Sequence, residues 1–223
     1  MSSSANALER EDGTRQRWFA LELACTIRND GNGGVADDLE DSAGLSSWVR
    51  ARRDRLEPEF DTAQFTADTH ALDSVVAVRA ALRALLARAV ACATPSRADT
   101  CAGRPTDATD ALEYLNRVAA RVPVTFGLDW PTGYPPALRL TGVAADPVDR
   151  LTSILAREAV LFLADPDSRR LAACSAPRCV RYFVKEHGRQ EYCKPSCSNR
   201  ARAARHYQRH HEPAAARRGA AGD

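Results

Sequence analysis

The chain has 223 residues, of which 44% are apolar and 27% charged, a composition typical of a soluble globular protein. Its longest uninterrupted apolar run, Ala159 to Ala164, is far shorter than the roughly 20 residues that a membrane-spanning helix needs. Met1 to Gly13 lack the basic and apolar regions of a signal peptide, so we expect a cytoplasmic protein without a membrane partner.

The net charge of +2 hides a difference between two parts of the chain. From Cys174 onward there are eleven Lys/Arg against four Asp/Glu, a balance of +7. Residues 1–173 carry twenty against twenty-five, a balance of −5. A basic segment of this density indicates a surface that binds phosphate, which the acidic remainder of the chain would repel.

The first predicted element lies in residues 17–28, where apolar and less apolar residues alternate. The larger apolar residues there are Phe19, Leu21, Leu23, Cys25 and Ile27. This period of two favours a half-buried strand, although Trp18, Leu21 and Cys25 would also share one face of a helix. We expect the strand.

Three helices follow in chain order. A short helix begins near Asp41 and ends at Pro58, and a long amphipathic helix runs from about Asp68 to Cys92 with Thr66 as its N-cap. The stretch 94–106 contains Pro, Gly, Ser and Thr and predicts a loop, after which another amphipathic helix starts at Asp107 or Thr109.

A hairpin and a further helix are predicted next. Val122–Leu128 and Ala137–Val143 are two strands around the turn-rich segment 130–136. Asp146 followed by Pro147 is typical of an N-cap and first-turn proline, and the helix that they begin reaches about Ala164. Trp48, Trp130 and Tyr134 either line a ligand pocket or serve core and loop packing.

Four cysteines near the C-terminus carry the clearest chemistry. They form two close pairs separated by thirteen residues: Cys174, Cys179, Cys193 and Cys197. Two pairs on tight turns can supply four sulfur ligands to one tetrahedral Zn²⁺, which leaves no open position for catalysis, so we expect one structural zinc. His187 or His206 replacing one thiolate, or four unrelated reduced cysteines, are the alternatives. The lone Cys25, Cys92 and Cys101 are expected to be buried or loop thiols.

Residues between and after the cysteines predict the shape of a small finger. Val180 to Val184 would form one arm of a hairpin that turns at His187-Gly188 and returns through Glu191 to Cys193. Lys194-Pro195-Ser196 then opens a helix, as in treble-clef fingers. We expect this module to pack beside the helix that ends at Ala164, and to depend on metal for its order.

The helix after Cys197 is strongly basic and indicates a nucleic-acid contact. Its predicted binding stripe consists of Arg202, Arg205, His206 and Arg209, with Asn199 and Arg200 as secondary candidates. Ala203, Ala204 and Tyr207 would anchor the opposite face on the finger. The alternative is a solvated basic helix end with no partner.

These residues carry a resemblance to a known family. Cys197-Ser198-Asn199-Arg200, behind the other three cysteines, resembles the cysteine-glycine-asparagine-arginine box of the CGNR zinc finger. Upstream, three short segments resemble the ABATE domain that usually precedes that finger: Leu21-Glu22-Leu23-Ala24-Cys25-Thr26, Leu45-x-x-Trp48 and Arg79-Ala80-Ala81-Leu82. Ser198 stands for the box glycine and Cys25 for the family's asparagine.

The resemblance implies a bacterial transcription regulator in which the finger binds DNA and the upstream domain senses a signal, such as a small-molecule effector. We therefore expect an α+β, predominantly helical fold: a helical domain with a small β element, then a treble-clef-like zinc finger. The expected domains are a sensor at 16–165 and the finger at 170–211, between disordered ends at 1–15 and 212–223.

Two functions remain open from the sequence. The first is a zinc-dependent DNA-binding regulator, acting as a homodimer or with a promoter-bound partner because a single finger offers few contacts. The second is a finger that docks on an acidic protein partner without binding DNA. We expect no enzymatic activity, since residues 1–173 contain one histidine, His70, and no glycine-rich phosphate loop.

Overall fold

A long central helix, α4, organises the body of the protein. The computed structural model describes residues 18–31, 34–57, 59–90 and 107–211. The predicted disordered ends, the loop at 94–106, Cys92 and Cys101 therefore lie outside the described residues. The helices of the body are α1 (Phe19–Ala24), α2 (Ser42–Arg50), α3 (Arg53–Leu56), α4 (Thr69–Ala89), α5 (Ala108–Ala119) and α6 (Pro147–Ala164).

The body's core forms where α1, α2, α5 and α6 pack on α4. Side chains from five helices are fully buried there, including Leu21, Leu45, Leu82, Leu115 and Phe162. Burying each such side chain contributes about 1.5–3 kcal/mol. Phe19 stacks on Trp48 with ring centroids 5.6 Å apart, which fixes α1 against α2.

In the described residues, strands occur as three two-stranded antiparallel hairpins, so the β content there is small and the predominantly helical α+β class is confirmed. The strand pairs are β1 (Ile27–Asn29) with β2 (Val35–Asp37), β3 (Val124–Asp129) with β4 (Ala137–Gly142), and β5 (Leu171–Ala173) with β6 (Tyr182–Val184). A 3-10 turn, Pro166–Arg170, links α6 to β5, and the last helix is α7 (Pro195–His211).

The prediction of a strand over residues 17–28 is wrong for most of that segment. Phe19–Ala24 form α1, and only Ile27–Asn29 are extended. The alternation misleads because Ala20 and Ala24 are apolar and buried, which leaves Glu22 as the one polar residue of the helix. Because core residues surround this segment on nearly every side, it has no polar face, and its sequence lacks the hydrophobic periodicity of an amphipathic helix.

The predicted helices lie close to their expected positions, with the differences at their ends. Asp68, not Thr66, is the N-cap of α4, because its side chain accepts a hydrogen bond from the backbone N–H of Ala71 at 2.7 Å. Asp107 caps α5 and Asp146 caps α6, with Pro147 in its first turn. The helix predicted from Asp41 is two helices, α2 and α3.

None of the helices in the described part of the chain has the length and apolarity that crossing a membrane would require.

Candidate metal centre

Four thiols converge at the start of α7. The sulfurs of Cys174, Cys179, Cys193 and Cys197 all lie within 4.8 Å of one another. Three of the four cysteines are buried and Cys179 is half-buried. Neither His187 nor His206 belongs to this cluster, so the alternatives in which a histidine replaces a thiolate do not match the structure.

The backbone brings the cysteines together through two short turns. Cys174 follows β5 directly, and its backbone N–H donates to the carbonyl oxygen of Arg181 at 3.0 Å. Between the first two cysteines, the N–H of Cys179 donates to Ala176 at 3.0 Å. This turn places Pro177 second and Arg178, with a φ of 63°, third, the pattern of a type II turn. The local chain thus aims both sulfurs inward.

The second pair is held by the beginning of α7. The backbone N–H of Cys193 donates to the sulfur of Cys174 at 3.4 Å, and the N–H of Cys197 donates to Lys194 at 3.0 Å. Ser175 donates to the carbonyl oxygen of Glu191 at 3.0 Å and ties the two turns together. The arrangement of knuckle, strand and helix is that of a treble-clef-like finger, as predicted.

The hairpin inside the finger differs from the prediction. β6 pairs with β5, which precedes Cys174, rather than with the segment Glu191–Cys193. Ala172 lies opposite Phe183, whose ring is buried against the cysteine cluster. The expected turn near His187 is present, since Gln190 donates to its carbonyl oxygen at 3.0 Å. No strand was predicted at Leu171–Ala173, because a strand of only three residues gives little sequence signal.

Distances between the sulfurs test whether a zinc ion fits. Zn–S bonds of about 2.3 Å place the corners of a tetrahedron about 3.8 Å apart. The sulfur of Cys179 lies 3.8 Å from that of Cys193 and 3.8 Å from that of Cys197, and Cys193 and Cys197 are 3.6 Å apart. A disulfide would need about 2.05 Å. These three sulfurs therefore have the spacing of zinc ligands and not of cystines, and the sulfur of Cys174 lies within 4.8 Å of each of them.

The pKa shifts of the cysteines indicate which thiol protons a bound cation would displace. A hydrogen bond from the thiol of Cys174 lowers the pKa of Cys179, and hydrogen bonds with Cys174 and Cys179 raise the pKa of Cys193. These hydrogen bonds thus favour the thiolate at Cys179 and keep the protons on Cys174 and Cys193. A divalent cation would supply the charge that stabilises four thiolates and would release those protons.

Downstream of the cysteines, α7 presents the predicted basic stripe to solvent. Arg202, Arg205, His206 and Arg209 are all exposed. Their polar contacts stay within the helix: Arg202 donates to Ser198 at 3.3 Å, Arg205 to the carbonyl oxygen of Ala201 at 3.4 Å and Arg209 to that of Arg205 at 3.4 Å. Within the described chain, no carboxylate pairs with these arginines.

The predicted anchor of α7 is wrong in two of its three residues. Tyr207 is 63% exposed and Ala203 is exposed, while Ala204 is half-buried. The helix is held instead by Cys197 and Ala201 in its first turns. Only the part of α7 next to the cysteine cluster is packed, so the predicted anchoring stripe ran too far along the helix.

The two secondary candidates on α7 lie in different surroundings. Asn199 is exposed. Arg200 is half-buried, and its guanidinium donates to the side-chain oxygen of Asn29 at 3.3 Å and to the carbonyl oxygen of Pro177 at 3.2 Å. Arg200 thus joins α7 to the first cysteine turn and to the body. Its N–H donors are used in these contacts within the protein.

The finger packs on the body mainly through α1 and α4, whereas the prediction placed it beside α6. Tyr182 of β6 belongs to the main core of the body, and Val180 packs on Ile27. The thiol of Cys25 donates to the carbonyl oxygen of Tyr182 at 3.5 Å. The finger and the body therefore share a buried interface.

Two buried arginines of α4 were missed from the sequence. Arg79 is 3% exposed; it forms an ion pair with both carboxylate oxygens of Asp37 and donates to Thr26 at 2.8 Å. Arg83 is 2% exposed and donates to the carbonyl oxygens of Ala24 at 2.8 Å and Val180 at 3.2 Å. Arg79 and Arg83 are four residues apart and share the apolar face of α4. This spacing was the sequence signal that could have indicated their burial.

The aromatic residues considered for a pocket do not meet in one. Trp48 is buried against Phe19, whereas Trp130 and Tyr134 are 69% and 70% exposed on the loop between β3 and β4. A separate recess of about 480 Å³ lies between the segment 60–68 and the start of α6, with Phe60 and Phe65 at its base.

Comparison with protein families agrees with the cysteine geometry. The CGNR zinc finger model matches residues 170–210, and the ABATE model, described as "Putative stress-induced transcription regulator", matches residues 19–166. No curated protein shows significant similarity to the chain. The match over 19–166 covers most of the chain, and the protein therefore belongs to the ABATE family and carries a CGNR zinc finger at its C-terminal end.

Proposed function

We propose that this protein is a zinc-dependent, DNA-binding transcription regulator. Cys174, Cys179, Cys193 and Cys197 hold one Zn²⁺, which links the two cysteine turns and the start of α7 into one unit. The observation that carries the proposal is the spacing of 3.6–3.8 Å between the sulfurs of Cys179, Cys193 and Cys197, at the first turn of a helix whose later turns are exposed and basic. Zinc in a four-sulfur site acts structurally, since no coordination position is left for water.

The DNA contact is assigned to Arg202, Arg205 and Arg209, with His206 on the same stripe and Asn199 near the helix start. Arginines that have no carboxylate partner need not break an ion pair before they bind phosphate, and they can also form paired hydrogen bonds with guanine. Three phosphate contacts predict that the logarithm of the DNA-binding constant falls with the logarithm of salt concentration with a slope of about −2.7 per finger.

Binding is tested with the full-length zinc-loaded protein and labelled genomic DNA fragments, by fluorescence anisotropy over a range of salt concentrations. The variant R202A/R205A/R209A should lose most of the affinity and most of the salt dependence. The matched control R50A/R88A/R117A removes the same charge from exposed positions of the body. Equal loss in both variants would mean that net charge alone drives binding, and unchanged binding in the α7 variant would refute the assignment.

Docking of the finger on an acidic protein is separated from DNA binding by the same variants. A partner captured from nuclease-treated lysate, with no salt-dependent DNA binding by the pure protein, would favour the adapter function instead. Exposed arginines suit either partner, but the CGNR and ABATE matches favour DNA, since the family is described as one of transcription regulators.

Sensing by the upstream domain is assigned to the recess at the start of α6. Its buried aromatic base and its rim of Asp61, Asp146 and Arg150 suit a small organic effector with both polar and apolar groups. A screen of small metabolites by thermal unfolding tests this role. A ligand that stabilises the protein, but not the space-filling variant Q64W, would support it, and a hit that stabilises both equally would place the effector elsewhere.

A further inference from the structure

The β3–β4 hairpin has one face made almost entirely of apolar side chains. Val124, Phe126 and Leu128 of β3 lie opposite Gly142, Leu140 and Leu138 of β4. Side chains two residues apart on a strand point to the same face, so these residues form one surface. Phe126 is 77%, Leu128 63% and Leu138 60% exposed, although all are residues that folding normally buries.

The loop between the strands carries two further exposed aromatic rings. Trp130 and Tyr134 are 69% and 70% exposed. A turn shapes the loop, because Tyr134 donates to the carbonyl oxygen of Pro131 at 3.1 Å and Gly133 has a φ of 86°. The positive φ at the third turn position suits glycine and fits a type II turn.

Only the base of the hairpin is tied to the body among the described residues. Arg150 donates to the carbonyl oxygen of Val143 at 2.8 Å, and Arg157 donates to that of Val122 at 3.1 Å. Both arginines belong to α6. A two-stranded hairpin with an uncovered apolar face is marginally stable in water, so a cover on this face would stabilise it.

The area of the face matches what a dimer interface needs. Each buried aromatic residue covers about 150–250 Å², so Phe126, the two loop rings and the neighbouring leucines together expose on the order of 700 Å². The largest apolar patch on a typical monomer is about 300–600 Å². A standard interface buries about 800 Å² on each partner.

The charges on the hairpin favour an uncharged, apolar partner. Asp129 and Arg139 pair with each other at 3.0 Å, and the strand register places them on the opposite face. The strand residues of the apolar face are all uncharged, and the guanidinium of Arg150 from α6 lies beside the base of this face at Gly142. Nucleic acid or an anionic membrane would require basic residues around the contact. The same face of a second copy is apolar and has the same area. An interface with twofold symmetry requires such a match, because each copy contributes the same surface.

We propose that the apolar face of the β3–β4 hairpin binds the same face of a second copy of this chain and forms a symmetric dimer. The two copies bury Phe126, Leu128 and Leu138, with Trp130 and Tyr134 at the edge of the contact. The dimer does not depend on DNA binding. It would present two copies of α7 to one DNA molecule.

Sedimentation velocity of the full-length protein at roughly 1–100 µM tests the proposal. Wild type should dimerise, and F126T/L128T/L138T should dimerise at least about 30-fold more weakly, since residues at the centre of an interface carry most of its affinity. Threonine keeps a high strand propensity. The control T125V/T141V changes a directly paired position on the opposite face and should dimerise like wild type.

Hydrogen exchange of wild type provides a second measurement that needs no variant. Amides of residues 124–142 should exchange more slowly at high than at low protein concentration, while amides of α2 should not change. The proposal would be overturned if the wild type is monomeric or if F126T/L128T/L138T dimerises like the wild type. It would also be overturned if hydrogen exchange in residues 124–142 does not depend on protein concentration. R202A/R205A/R209A should still dimerise, because its substitutions lie outside the hairpin. A failure of the DNA assignment is therefore distinguishable from a failure of the dimer proposal.

Discussion

Arg83 of α4 donates to the carbonyl oxygen of Val180, between the two strands of the zinc finger, at 3.2 Å, and its guanidinium carbon lies 5.1 Å from the ring centre of Tyr182. The same guanidinium donates to Ala24 at 2.8 Å. One buried side chain thus joins α4, α1 and the finger. Because these contacts are buried, a change in the body near Arg83 would alter the packing of the finger, which gives the proposed sensing a physical route to the proposed DNA contact.

Replacing Arg83 with methionine should destabilise the protein by about 2–4 kcal/mol. Methionine fills much of the space but leaves the buried carbonyl oxygens of Ala24 and Val180 without their donor. Urea unfolding followed by circular dichroism measures the change. The control R88M alters an exposed arginine of the same helix and should cost less than about 0.5 kcal/mol. Equal effects of the two substitutions would contradict the role of Arg83.

The cap of α4 is a second test of the fold. Asp68→Ala removes the acceptor of the Ala71 N–H and should cost about 1 kcal/mol of unfolding free energy, whereas Thr66→Ala should be nearly neutral. Thermal unfolding of the two variants gives the comparison. A larger loss from Thr66→Ala than from Asp68→Ala would restore the cap that the sequence favoured.

Arg178 adopts a left-handed backbone conformation between the first two cysteines, with a φ of 63°. Glycine has no side-chain penalty there, so Arg178→Gly should favour the finger by about 1 kcal/mol, and Arg178→Ala should not. Competition with a chromophoric chelator measures the gain as tighter zinc binding. If glycine and alanine behave alike, the effect of Arg178 comes from its charge rather than from its backbone.

Glu158 should make stability depend on pH. Burial raises the pKa of this carboxyl, and nearby Arg55 only partly offsets that effect. A raised folded-state pKa means that its contribution is fully present below the unfolded pKa and is lost as the pH rises through the folded value. Glu158→Gln should therefore be stabilising relative to wild type near neutral pH and show little difference in acid. Urea unfolding at both pH values checks this, and a gain confined to acid would contradict it.

Local signals in the sequence predicted much of the fold. Asp146-Pro147 located the start of α6, because an N-cap and a first-turn proline act within a few residues. The cysteine spacing predicted which four side chains meet, because tight turns bring close pairs to one point. The exposed arginines of α7 also followed from helical periodicity.

Features that depend on distant parts of the chain were not predictable in this way. The helix α1 forms because core residues surround it, and this overrides the alternation of its side chains. β5 is recognisable only through its partner β6, across the first cysteine turn. Arg83 looks like a surface residue until Ala24 and Val180, which lie 59 and 97 positions away, provide acceptors.

The zinc content of the purified protein tests the central claim most directly. Purified full-length protein should contain one zinc per chain by elemental analysis, and Cys197→Ser should reduce this content, whereas the control Cys25→Ser should not. After chelation, hydrogen exchange should become fast in the cysteine turns and α7 while α4 stays protected. Absence of stoichiometric zinc, together with an α7 that stays equally protected after chelation, would contradict the central claim.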